Sequence, residues 1–88
     1  REILDVANAV SLLSAIGRDP GALEQTLKGA AFWKAIGDAT ATCSAFAAKT
    51  GRSAAGHALD ALGRQVKAKQ RAGVQESAAA AVAALGLG

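Results

Sequence analysis

The chain has 88 residues and a net charge of +3, room for a single domain. Alanine supplies 24 positions and glycine 10, against 20 large apolar residues (Ile, Leu, Val, Phe, Trp), so the core is thin and stability has little reserve. The one cysteine, Cys43, excludes an internal disulfide; the longest apolar stretch, residues 30–48, is broken by Lys34 and Asp38, which argues against a membrane-spanning helix.

The first predicted helix covers residues 3–16. Ile3, Val6, Ala7, Ala9, Val10 and Leu13 share one face, with Asp5, Asn8, Ser11 and Ala15 opposite. Gly17 is expected to end it in the left-handed conformation. Asp19-Pro20 restarts the chain, aspartate as N-cap and proline at the first helical position. The second helix is predicted over 20–36. Leu23, Leu27 and Ala30 form one stripe and Phe32, Trp33 and Ile36 another, which implies two neighbours. Gly37-Asp38 is expected to stop it and cap a third helix over 39–50, which buries Ala39, Cys43, Phe46 and Ala47; the alternative is one continuous, kinked helix. Gly51 stops the third helix and Ser53 is the expected cap of a fourth over 54–72. Ala55, Ala58, Leu59, Leu62 and Val66 make its apolar face, and Asp60 and Arg64 have favourable i,i+4 spacing. Gly73 breaks or bends this helix, and a short alanine helix then runs to Gly86. The fold class is all-α: four to five short helices with turns punctuated by Gly, Pro and Asp.

Ala-(Ile/Leu)-Gly occurs four times, at 15–17, 35–37, 61–63 and 84–86. Three occurrences read as helix stops. The third does not: Gly63 falls in mid-helix, seven residues after Gly56, on the same flank. Each costs roughly 1 kcal/mol against alanine there, which close approach by another helix would offset. Gly56 and Gly63 are therefore candidate interface residues, with Phe32 and Trp33 as the aromatic pair. The tripeptide is no phosphate loop, lacking G-x-G-x-x-G and a P-loop lysine.

Chemistry-bearing residues are few. A Cys43–His57 dyad needs both groups on one surface, yet periodicity points Cys43 to the core and His57 to solvent. A metal site wants three or four ligands, and none gather in the sequence, so no metal or cofactor is expected. His57 retains one less demanding role, the axial ligand of a haem or metal-centred pigment. Arg64, Lys67 and Arg71 form a basic patch. Phosphate contact, in nucleic acid or lipid headgroups, is its functional reading; the absence of nearby aromatics disfavours single-stranded nucleic acid. Residues 1–44 carry four Lys/Arg and five Asp/Glu, residues 45–88 six and two, a basic bias too mild to name a partner.

The small, cationic, glycine- and alanine-rich helical composition is similar to that of circular bacteriocins, although seven acidic residues depart from that pattern. The Arg1 start and the lack of methionine are similar to processed accessory subunits of organellar energy-converting complexes. Neither likeness rests on a residue motif, so neither transfers a site. The expectation is a non-catalytic accessory or linker subunit, packed onto a larger assembly such as an organellar or bacterial photosynthetic or respiratory complex. Its location would then be an organelle, after removal of a targeting peptide. The alternatives are a cationic membrane-active peptide, acting at the membrane surface, and a small basic nucleic-acid-associated protein.

Overall fold

Apolar residues at helical spacing recur along the chain, and the computed structural model, which describes residues 2–86, turns them into five α-helices. They are α1 (Glu2–Arg18), α2 (Pro20–Thr26), α3 (Ala30–Lys49), α4 (Ser53–Ala68) and α5 (Val74–Leu85). A 3₁₀ turn, Arg71–Gly73, leads into α5, and no strand occurs among the described residues. The four longer helices form a ring. α1 packs on α3 and α5, and α4 packs on the same two. α2 is a short strut against α1. α3 and α4 run antiparallel, since Gly37 lies level with Val66 and Thr40 with Gly63.

Each long helix turns one stripe inward. On α1 the buried residues are Val6, Ala9, Val10, Leu13 and Ile16, while Ala7 is exposed; the Ile3 side chain lies outside the described residues. α3 contributes Phe32, Ile36, Ala39, Cys43 and Ala47, α4 contributes Ala55, Leu59 and Leu62, and α5 contributes Val74, Ala78, Ala81 and Leu85. Six of these 17 core residues are alanine. Such short side chains let helix axes approach, and each removes little apolar surface from water. Phe46, Ala58 and Val66 are only half-buried. Thr40 is the one buried polar residue among those described, and its Oγ1 donates to the Ile36 carbonyl at 2.7 Å.

Several helix boundaries differ from the sequence reading. Asp19 caps α2 as expected: its Oδ1 accepts from the Gly21 N–H at 3.1 Å, with Pro20 in the first turn. Gly17, however, does not end α1, which continues to Arg18. α2 ends ten residues early, at Thr26, and the break is Gly29, with φ 59° and ψ −128°. That combination is open to glycine alone, because any Cβ would clash with the backbone. Gly37 and Asp38 lie inside α3, which runs unbroken through them; of the two arrangements foreseen for this region, continuity across Gly37 is the one adopted. Leu23 therefore sits on α2 and Leu27 at its C-cap, while Ala30, Phe32, Trp33 and Ile36 sit on α3, so the stripes no longer imply two neighbours for one helix. Of the four Ala-(Ile/Leu)-Gly tripeptides, only the last stops a helix, at Gly86 with φ 71°.

Gly51 closes α3 at φ 71°. The Arg52 N–H bonds the Ala47 carbonyl at 2.9 Å and the Gly51 N–H bonds Ala48 at 3.4 Å, the paired bonds of a Schellman ending. α4 ends the same way, but with a lysine in the left-handed position. Lys69 has φ 55°, its N–H reaches the Val66 carbonyl at 3.1 Å, and the Gln70 N–H reaches Gln65 at 2.8 Å. α4 thus stops at Ala68 rather than 72. Ser53 is the first residue of α4, not its cap; Arg52 precedes it and makes no side-chain cap bond.

Long-range polar ties fasten the ends. The Arg52 Nε donates to the Leu85 carbonyl at 3.0 Å, and its guanidinium lies 5.2 Å from the Phe46 ring centre. One cation thereby meets the C-terminal dipole of α5 and an aromatic face of α3. At the opposite end of α5, the Gln75 Nε2 donates to the Gly17 and Arg18 carbonyls at 3.3 and 3.1 Å. It satisfies acceptors that the end of α1 leaves open.

Candidate functional site

The antiparallel register of α3 and α4 leaves a groove between their outer faces. Its larger part, about 560 Å³, is lined by Gly37, Thr40, Ala41, Ser44, Leu59, Asp60, Gly63, Arg64, Val66 and Lys67. A smaller part of about 340 Å³ adjoins it through the shared Ser44 and Asp60, and reaches Ala48, Gly51, Arg52, Gly56 and His57. The local cause is residue size. On α3, positions 37, 41, 44 and 48 are Gly, Ala, Ser and Ala, and Gly51 follows just past its end. They step by four and three, so they form one face of the helix, distinct from the buried Phe32–Cys43 stripe. On α4, Gly56, Asp60, Gly63 and Lys67 step in the same way.

The two α4 glycines meet nothing that requires them inside this molecule. A Cβ at Gly56 would find no atom within 4 Å, and one at Gly63 would find only the Thr40 methyl at 3.9 Å, an ordinary contact. Of the two neighbours that the Gly56–Gly63 flank allows, a helix of this chain or a partner, no helix of this chain closes on it. Close helix approach occurs instead at Gly17, where a Cβ would lie 3.1 Å from the Cα and Cβ of Ala79 on α5.

The remaining candidates divide. Phe32 is 1% exposed and belongs to the core; as an interface residue it is withdrawn, because no partner can reach it. Trp33 stays half-exposed, its ring edge-on to Phe32 with centres 5.3 Å apart. Adjacent helix positions differ by 100°, and that rotation separates the two aromatics. The basic patch is split as well. Arg64 and Lys67 line the groove, whereas Arg71 lies beyond the end of α4 and pairs with Glu24 of α2. Asp60 and Arg64 share a helix face but form no ion pair, and Lys67 forms none either, so three unpaired charges rim the groove among the described residues.

Cys43 is fully buried and free, and burial pushes its thiol pKa up. His57 is exposed on the groove's smaller part. The thiol and the imidazole thus occupy opposed environments, one sealed and one in water. No three His, Cys, Asp or Glu side chains gather to hold a metal among the described residues. None of the described helices is long and apolar enough to cross a membrane.

An expected stop at Gly37 hides the α3 half of the groove in the sequence. The four-three spacing of small residues from 37 to 48 is the signal that carries it. No protein-family model matches the chain, and neither a curated protein nor a solved structure matches it.

Proposed function

We propose that this chain is a non-catalytic helical packing module that joins a larger protein assembly through the α3/α4 groove. The observation that carries the reading is the pair Gly56 and Gly63. Each costs α4 roughly 1 kcal/mol of helix propensity relative to alanine, and neither is required by a contact within the fold. A surface that omits side chains where its own fold has room for them is suited to a second backbone coming close. The groove's small, largely apolar floor and charged rim match the make-up of a docking surface, an apolar centre inside a polar border. The alanine-rich core supports the same reading, since a module with little apolar area of its own gains stability when a partner covers more.

The test is the double variant Gly56→Leu/Gly63→Leu. The isolated variant is expected to fold with helicity and a melting midpoint at least equal to those of the wild type, because leucine is the better helix former and a Cβ at either position meets no close atom. In extracts of the native source, the wild-type chain is expected to sediment with a complex larger than itself and the variant to sediment alone. Unchanged co-sedimentation of the variant would remove the groove from the account.

A further inference from the structure

We propose that the groove's occupant is the same groove of a second copy, the two joined antiparallel about a two-fold axis that passes beside Gly63. The inference rests on the docking reading and adds the identity of the partner.

Charge supplies the argument. A two-fold contact is self-complementary, so residue i of one copy meets residue j of the other, and j meets i. Asp60 and Arg64 are one turn apart on the same outward face of α4. They carry opposite charges and do not pair with each other, or with any other described residue. When α4 packs antiparallel against α4 of a second copy with the axis level with residue 62, Asp60 of each copy faces Arg64 of the other. Two ion pairs form from four charges that are unpaired in the single chain. The axis level is also where the helices come closest. There the groove presents Gly63 from α4 and, by the register of Thr40 with Gly63, Ala41 from α3. Lys67 comes level with His57 of the second copy, and both stay at the solvent-exposed rim.

The experiment is sedimentation equilibrium on the full chain, wild type and two charge reversals, Asp60→Arg and Arg64→Asp. Both sites are exposed, and circular dichroism verifies that each variant stays folded. The wild type is expected to dimerise reversibly at sub-millimolar concentration. Each reversal places like charges across the axis and is expected to weaken self-association by at least about tenfold. An equimolar mixture of the two is expected to recover it, because position 60 of one then faces an opposite charge at position 64 of the other in both places. A dimer indifferent to both reversals would overturn the proposal, since its contact would lie elsewhere. A wild type that stays monomeric at every concentration would overturn it too. If, in that case, the Gly56→Leu/Gly63→Leu variant still fails to join the larger complex, docking through the groove stands and only its self-pairing falls.

Discussion

Gly17 on α1 and Ala79 on α5 meet with no room for another carbon between them. A Cβ on Gly17 would lie 3.1 Å from both the Cα and the Cβ of Ala79, and 3.2 Å from its nitrogen. Gly17 therefore sets how closely two of the four main helices pack. Gly17→Leu is expected to destabilise the protein by about 1–3 kcal/mol through overpacking, and Gly17→Ala by much less, because gained helix propensity offsets the strain. Urea denaturation of the two variants checks the order. A leucine variant as stable as the wild type would show that α1 and α5 can part at no cost.

Gly56 is the converse case. With nothing within 4 Å of its missing Cβ, Gly56→Ala is expected to raise the stability of the isolated chain by about 1 kcal/mol. Thermal melting followed by circular dichroism reads this directly. A lowered midpoint would mean that the flank is already in use inside the monomer.

Lys69 holds the left-handed position that ends α4, a conformation that costs an L-residue roughly 1–2 kcal/mol. Glycine adopts it without that strain but is freer in the unfolded chain. Lys69→Gly is expected to stabilise by a net of about 0.5–1 kcal/mol. Denaturant titration at moderate salt, which suppresses the change in surface charge, tests it. Destabilisation would mean that the lysine side chain contributes more than its backbone costs.

Cys43 links stability to alkaline pH. Burial favours the neutral thiol in the folded state and raises its pKa above the ordinary 9.0. In the unfolded chain the thiol ionises first. Between the unfolded and the folded pKa the unfolded state binds fewer protons, so stability falls as pH rises through that window. Cys43→Ala is expected to cost about 1–2 kcal/mol at neutral pH, as small core truncations do. It is also expected to flatten the decline above pH 9. Paired stability measurements at neutral and alkaline pH decide the point; an equal slope in both proteins would assign the decline to other groups.

The parts of the fold that the sequence disclosed are those fixed locally. Asp19-Pro20 begins a helix because the carboxylate and the ring act on neighbouring backbone. Gly51 and Gly86 end helices because each follows an apolar stripe that stops. The α2/α3 boundary differs from the sequence reading because glycine alone does not stop a helix whose apolar stripe stays in phase. The stripe Phe32, Ile36, Ala39, Cys43, Ala47 passes Gly37 without a shift in phase, so the helix continues there. Extending the Leu23–Leu27 stripe would instead bring Lys34 onto the apolar face, which marks Gly29 as the break. Gly17 differs from its expected role for another reason: that role depends on Ala79, 62 positions away, and no local pattern reports that. The groove was half legible. The Gly56–Gly63 flank follows from spacing within one helix, but its partner face on α3 depends on the antiparallel register of two helices.

The Gln75 side chain holds the last carbonyls of α1 across 57 and 58 positions of sequence. The α3–α4 and α4–α5 pairs join helices that are consecutive in the chain, so each closes a short loop at small entropic cost. α1 has no such advantage toward α5, the other end of the ring. The bond from Gln75 is therefore expected to form in the slowest closure, after the α3–α4–α5 contacts. Amide protons in the final turn of α1 should accordingly gain protection late in refolding, and exchange in the native state through openings that leave α4 intact.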